Sequence, residues 1–147
     1  MKMFSRNCLV AFACAAALSG PAAGREGKAR PVVLECYYKA KWGHADEFLQ
    51  LYKKNHYPVM KRLLDEGRLT RIEIVKPRYH GPEEGRWDFR VTLAFRDADA
   101  AYDPEHEEAI QAELYPARDA FREEEKRRFA ILDAHWDVII DPVDPSR

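Results

Sequence analysis

Four polar side chains, Glu35, Tyr37, Arg90 and His135, have types and spacings suited to chemistry, because they lie at alternating positions of segments with a strand-like pattern. A histidine near carboxylates can titrate around neutral pH and act as a general acid or base. An arginine can anchor an anionic ligand. The alternative is a solvated sheet face or a polar dimer interface, because mixed charges at alternate positions are typical of both.

A second candidate site lies in the segment KNHYP, where His56 and Tyr57 come directly before Pro58. A proline inside a helix removes a backbone donor and disfavours helical geometry at the preceding residue, so we expect a kink or a break here. The backbone groups that are freed can help to line a pocket, with His56 and Tyr57 opening onto it. The alternative is a helix-end histidine that bonds a nearby carbonyl.

Several kinds of active site find no support in the sequence. Its only serines are Ser5, Ser19 and Ser146, near the two ends of the chain, so serine nucleophile chemistry is excluded. The chain has no glycine-rich phosphate loop and no Cys/His spacing typical of structural zinc. We therefore predict no metal site and no cofactor.

The N-terminus has the layout of a secretory signal peptide: basic Lys2 and Arg6, then an apolar run, then small residues suited to cleavage near Gly24. The apolar run is shorter than the roughly 20 residues that span a bilayer, which disfavours an uncleaved anchor. We therefore predict a periplasmic or secreted protein. The predicted units are a signal peptide (1–24), a flexible leader (25–31), one domain (32–141) and a tail (142–147).

Removal of the first 24 of the 147 residues leaves Cys36 as the one remaining cysteine, so an internal disulfide is not possible. Its apolar strand predicts a buried, inert thiol, and an intermolecular bridge or a reactive thiol is the alternative. The formal net charge changes from −1 to −3, because Lys2 and Arg6 are lost. Such a surface lacks the basic field that nucleic acids require, and no later apolar segment could span a membrane.

The stretch over residues 86–96 has the clearest strand pattern, because apolar residues occupy every second position. Pro77 predicts that the second strand is an edge strand or ends there. Further strands are predicted over residues 32–41, 69–79 and 131–140.

Two amphipathic segments predict helices between these strands. The first covers residues 44–66, with the irregularity at Pro58. The second begins after Asp103, an N-cap followed by proline, and should be kinked at Pro116. The charged run over residues 122–128 predicts a solvated helix face.

Continuous alternation predicts which strand residues face the helices. In the third strand these run from Trp87 to Phe95, and in the fourth from Leu132 to Ile140, including Trp136. The opposite set then lies on the uncovered face of the sheet. With strands one and three side by side, it brings together Glu35, Tyr37 and Arg90, with His135 flanking them.

The element order is β-α-β-β-α-β, the ferredoxin-like arrangement of a four-stranded antiparallel sheet with two helices on one face. From Val32 to Ile140 the chain resembles the dimeric α+β barrel superfamily in its element order, its strand lengths and its long first helix, entered from KWGHADEFLQLYKKNHYPVMKRLLDEG. The resemblance implies the strand order four-one-three-two and a homodimer in which two sheets face each other. It also implies a cavity between sheet and helices, which relatives use for small hydrophobic substrates.

Those relatives include haem-degrading and antibiotic-biosynthesis monooxygenases, muconolactone isomerases and stress-response proteins. None of their catalytic sets can be matched to this sequence residue by residue, and a shared fold does not transfer an activity. We therefore expect an exported homodimer that binds a small, partly apolar molecule. Two alternatives stay open: a cofactor-independent monooxygenase- or isomerase-like enzyme, and a non-catalytic dimerisation or interaction module.

Overall fold

The computed structural model describes residues 30–79 and 81–146, so the predicted signal peptide lies outside the described residues. Four strands form one antiparallel sheet in the order β2-β3-β1-β4, which confirms the expected strand order. Strand β2 is an edge strand, as Pro77 predicts, and it ends at Val75 rather than at the predicted residue 79, because proline cannot donate to a strand ladder. The strands are β1 (Val32–Ala40), β2 (Leu69–Val75), β3 (Phe89–Phe95) and β4 (Leu132–Ile140).

Helices cover one face of this sheet, which confirms the predicted ferredoxin-like α+β class. The two expected helices are divided into shorter pieces, because a π-helical segment and several turns interrupt them. The pieces are α1 (Ala45–Leu51), the π-helical segment (Tyr52–His56), α2 (Tyr57–Asp65), α3 (Ala98–Ala101), α4 (Pro104–Leu114) and α5 (Arg118–Ala130). The face of the sheet that they cover is called the covered face, and the other is called the open face.

Pro58 distorts the first helical region, as predicted, although the chain stays helical. The N–H of Tyr57 bonds a carbonyl five residues back, which is the π-helical pattern. The hydroxyl of Tyr115 lies 2.9 Å from the carbonyl oxygens of both Lys54 and Asn55. Lys54 is the residue whose carbonyl an N–H at position 58 would bond in an α-helix. A side chain from the second helical region therefore satisfies backbone groups that the proline leaves unpaired.

The second helical region begins as predicted, because Asp103 Oδ1 accepts a hydrogen bond from the N–H of His106 at 3.1 Å and Pro104 lies in the first turn. Pro116 does more than kink this region, since α4 ends before it and α5 begins after it. The turn between the two helices carries Tyr115 to the π-helical segment.

The covered face of β3 is the predicted one, because its four apolar side chains from Phe89 to Phe95 are at most 8% exposed. Trp87 departs from the prediction. The chain bends at Asp88 and the strand begins only after it. The Trp87 ring instead meets the Tyr37 ring edge-on at 5.8 Å, on the open face.

Strand β4 contains a β-bulge that interrupts its alternation. Ala40 pairs with Leu132, but the neighbouring Lys39 pairs with Ala134, so Asp133 is an extra residue on the β4 side. Because successive side chains point to opposite faces, one extra residue reverses the facing of every position that follows.

The predicted facing of β4 is therefore wrong beyond the bulge. The structure places His135 and Asp137 on the covered face, opposite Tyr38 and Cys36 of β1. Trp136, Val138 and Ile140, predicted to face the core, lie on the open face and are 39–41% exposed.

Arg86 anchors the chain around the bulge. Its side chain is buried, and its Nη2 donates to the carbonyl oxygen of Ala40 at 2.9 Å while its Nη1 donates to Asp88 Oδ2 at 2.6 Å. The same guanidinium lies 3.6 Å from Asp133 Oδ2. Several contacts from one planar guanidinium fix its orientation, so Arg86 links the end of β1 to the bulged residue of β4.

Candidate functional site

A cavity of about 240 Å³ lies between the covered face of the sheet and the helices. Polar side chains reach its wall from β1, β4, the π-helical segment, α4 and α5. The apolar part of the wall includes Leu34, Met60, Leu93, Phe95, Phe129 and Ile139. A mostly apolar concave site with a few converging polar groups is typical of small-molecule binding.

His135 and Asp137, two residues apart on β4, form a pair on this wall, with His135 Nε2 3.1 Å from Asp137 Oδ1. The ring of Tyr38 stacks on the His135 ring at 4.5 Å, and the ring of Phe129 meets it edge-on at 5.8 Å. Neighbours on several sides therefore hold the imidazole in one orientation. A histidine oriented by a carboxylate can transfer a proton to or from a bound molecule.

Asp137 also interacts with Cys36, whose thiol hydrogen-bonds the carboxylate. Burial raises the pKa of the Cys36 thiol far above its usual range, and the Asp137 carboxylate adds to this effect. The thiolate is the nucleophilic form of cysteine, so this thiol is unreactive at physiological pH. The buried thiol that the sequence predicts is confirmed.

The π-helical segment places His56 on the cavity wall and directs the buried Asn55 towards α5, where its amide donates to Glu124 at 3.0 Å. Burial lowers the pKa of His56 to about 3, and the neighbouring Arg128 and His135 add to the effect. His56 is therefore neutral at physiological pH. A neutral imidazole offers one donor and one acceptor nitrogen to a bound molecule.

Arg128 lies inside the protein, although the sequence places it in the charged run that predicts a solvated helix face. Its side chain is 3% exposed and lines the cavity. Its Nε and Nη2 donate to the two carboxylate oxygens of Glu125 at 2.9 and 2.6 Å. No acceptor within residues 30–79 and 81–146 pairs with its Nη1. The cavity wall therefore carries a buried positive charge with one unpaired donor nitrogen.

Glu35, Tyr37 and Arg90 lie together on the open face, as the strand pattern predicts. The Tyr37 hydroxyl donates to Glu35 Oε2 at 2.7 Å, which raises the pKa of Tyr37, and Arg90 Nη1 lies 3.7 Å from Glu35 Oε1. The Tyr37 ring stacks on the Trp136 ring at 5.2 Å. This cluster is partly self-paired and lies on the opposite side of the sheet from the cavity.

The six predicted site residues are thus divided between three places. His56 and His135 line the cavity, and the cluster of Glu35, Tyr37 and Arg90 occupies the open face. Tyr57 is 37% exposed and borders a separate groove beside β2. The prediction that His135 flanks the open-face cluster is wrong, because the bulge turns it to the other side.

Sequence reasoning missed three charged residues of the cavity, Glu107, Arg128 and Asp137. Arg128 follows the buried Phe121 by seven positions, so both lie on one face of α5, and this spacing could have revealed it. For Asp137 there was no comparable signal, because its facing depends on the bulge at Asp133.

Metal binding and membrane insertion find no structural support in the described part of the chain. Within residues 30–79 and 81–146, no three His, Cys, Asp or Glu side chains are placed to hold one metal ion. Over the same residues, no helix combines the length and the apolar character needed to cross a bilayer.

No protein-family model matches the chain, and no curated protein matches it significantly. Solved structures do share its fold. A NIPSNAP family protein from Agrobacterium tumefaciens has 18% sequence identity and a TM-score of 0.50, covering 80% of this chain and 100% of that protein. A dimeric ferredoxin-like protein from an uncultured marine organism has 7% identity and a TM-score of 0.51, covering 78% and 90%. A Pseudomonas aeruginosa protein has 15% identity and a TM-score of 0.53, covering 80% and 98%.

These similarities and the observed sheet order show that the chain has the ferredoxin-like fold. At such low identity the likeness shows the fold alone, and it identifies no family.

Proposed function

We propose that this protein binds a small, partly apolar molecule in the cavity between the covered face and the helices. The observation that carries the proposal is the wall itself, where apolar side chains surround three polar groups from separate elements, His56, His135 and Arg128. The volume of about 240 Å³ is below the roughly 300–1,000 Å³ typical of sites for drug-sized ligands. A ligand with one or two rings, or a short chain, suits this space.

A test by thermal unfolding uses a panel of small aromatic and quinone-like compounds. A compound at 100 times its dissociation constant should stabilise the wild type by about 2.7 kcal/mol, seen as a higher Tm. Ala101→Phe adds a large side chain at a residue that lines the cavity, so it should abolish the shift. The matched control Ala112→Phe lies at an exposed position of α4 and should keep it. The proposal fails if no compound raises the wild-type Tm, or if the Ala101 variant still responds.

A second candidate function is catalysis of the cofactor-independent isomerase or monooxygenase kind. The observation that favours it is the His135–Asp137 pair, because an imidazole held by a carboxylate on a cavity wall can take a proton from a bound substrate. Once a ligand is known, His135→Gln should keep binding and lose turnover. A wild type that binds the ligand but leaves it chemically unchanged would favour a binding protein instead.

The open face supports a homodimer, because three large apolar side chains of β4, Trp136, Val138 and Ile140, are exposed there in a row. The dimeric ferredoxin-like protein from the uncultured marine organism supports the same assembly. The remaining alternative, a non-catalytic interaction module, would use this face and leave the cavity without a role.

We also propose that the protein is exported and that residues 1–24 are its signal peptide. The N-terminal sequence of the protein recovered outside the cytoplasm tests it, and an intact Met1 there would contradict cleavage.

A further inference from the structure

Arg128 is a buried cation whose hydrogen bonding is only half completed. Glu125 occupies the Nε and Nη2 edge of the guanidinium. Nη1 is enclosed by protein and has no acceptor in the described part of the chain. Leaving a buried donor of a charged group unpaired is unfavourable. A ligand that brings an acceptor to this nitrogen would therefore gain more binding free energy than it would at a solvated arginine.

The hydroxyl of Tyr52 is a second buried polar group without a partner among the described residues. The Tyr52 ring centroid lies 5.9 Å from Arg128 Cζ, and the neutral His56 ring lies 5.2 Å from the Tyr52 ring. Two unpaired groups that can donate hydrogen bonds therefore lie in the same part of the interior; Arg128 lines the cavity, and Tyr52 contacts two residues of its wall, Arg128 and His56, without lining it.

Two carboxylates also line the cavity, but each is already engaged. Asp137 has His135 and the Cys36 thiol as partners. Glu107 accepts a hydrogen bond from Gln111 at 3.2 Å, and burial raises its pKa, which favours its neutral form. Arg128 is thus the positively charged residue on this wall, and its unpaired donor nitrogen is buried.

We propose that the ligand of this cavity is a small apolar molecule with a carboxylate group, and that the carboxylate binds at Arg128 Nη1 and the Tyr52 hydroxyl. This inference rests on the proposed cavity function and adds the chemical class of the ligand. Because both atoms are covered in the present conformation, we expect a small movement of nearby side chains on binding.

The test compares two probes of similar size by isothermal titration calorimetry: naphthalene-2-carboxylate and the uncharged naphthalene-2-methanol. A charge-assisted hydrogen bond to a buried arginine should make the carboxylate bind the wild type about 10- to 100-fold more tightly. Tyr52→Phe should weaken carboxylate binding several-fold and leave the alcohol unchanged. The variant removes a hydroxyl with no protein partner, so it should fold normally.

The double variant Arg128→Gln with Glu125→Gln removes both charges of the pair, so that neither is left alone in the interior. It should reduce carboxylate binding to the level of the alcohol. The matched control Arg122→Gln, at an exposed position of α5, should have no effect.

Equal affinity of the wild type for the two probes would overturn the carboxylate proposal and leave the proposed cavity function standing. Binding of neither probe would overturn both. Carboxylate binding that survives Tyr52→Phe and the double variant unchanged would place the anion elsewhere and overturn the proposal. The comparison of probes on the wild type decides the matter even if the double variant does not fold.

Discussion

On the open face of the sheet the arginine is partly exposed to solvent, whereas on the covered face the arginine is buried. Glu35 is the shared partner of Tyr37 and Arg90 on the open face. On the covered side, Nη1 of Arg128 and the hydroxyl of Tyr52 have no partner in the described part of the chain. Arg90 Nε on the open face also has no partner in that part of the chain, so the two arginines differ in burial: the Arg90 side chain is 31% exposed, whereas that of Arg128 is 3% exposed and lines the cavity. An unpaired donor on a fully buried side chain costs more free energy, and this directs attention to the cavity as the site.

The two faces also differ in what their apolar residues meet. Phe48 of α1, Val59 of α2 and Val91 of β3 are each 1% exposed where the helices pack on the sheet. On the open face, Trp136 and Val138 stay about two-fifths exposed. The covered face has its packing partner within the chain, while the apolar part of the open face would find one in a second subunit.

Insertion of one alanine between Ala134 and His135 should have the largest effect on this difference, because it shifts the rest of β4 by one position. Trp136 and Val138 would turn towards the helices and His135 would turn away. We expect the free energy of unfolding to fall by more than about 3 kcal/mol in urea denaturation, since the exchanged side chains do not fit their new surroundings.

The control is Asp133→Ala, which keeps the length of the chain and removes a contact of 3.6 Å with Arg86. Because Asp133 is partly exposed, this substitution should cost less than about 1 kcal/mol. Equal stability of the two variants would show that the facing of the β4 side chains beyond Ala134 does not contribute to stability.

Two glutamate substitutions at neighbouring positions of β4 test the two faces of the sheet separately. Val138 lies on the open face and Ile139 on the covered side, and they are 41% and 55% exposed. Val138→Glu should weaken the homodimer by about 10- to 100-fold, because it buries a charge at the proposed interface. Ile139→Glu should leave the dimer intact. Light scattering over a concentration series measures both, and a wild type that is monomeric at micromolar concentration would refute the dimer.

The pH dependence of stability tests the environment of His56 on the covered side. Its pKa is about 3 in the folded protein and about 6.5 when exposed, so the unfolded state binds more protons between these values. Stability should therefore fall as the pH falls through this range. The loss due to His56 between pH 7 and pH 4.5 should be about 2 kcal/mol, and His56→Gln should remove it.

The matched control for this experiment is His106→Gln, because His106 lies at the surface beside Glu66. It should lose stability on acidification much as the wild type does. If the His56 variant and the wild type lose the same amount, then His56 is charged in the folded protein and the cavity is more polar than described.

Much of the fold could be predicted from the sequence, because it depends on patterns that repeat over several residues. The alternation from Phe89 to Phe95 gave a central strand with the correct face buried. Asp103 and Pro104 marked a helix start, and Pro58 marked the irregularity that the structure resolves as a π-helical segment. These features follow from local preferences of the backbone, so they can be predicted from the sequence without knowledge of the tertiary contacts.

The site could be predicted only in part, because its key features depend on tertiary contacts. The bulge at Asp133 adds one residue with no turn signal such as glycine, and it reverses the facing of His135. Arg128 stands in a run of charges, and only its spacing from Phe121 distinguishes it from its exposed neighbours. A single shift of register and a single inward arginine thus decide where the polar groups meet.

The hydroxyl of Tyr115 also has a kinetic meaning. It holds the carbonyl groups of Lys54 and Asn55 next to His56, although it lies 60 residues away in the sequence. Local opening of the turn between α4 and α5 would release these carbonyls and let the π-helical segment relax. The rate at which molecules enter and leave the cavity would then be controlled by a loop that does not line it.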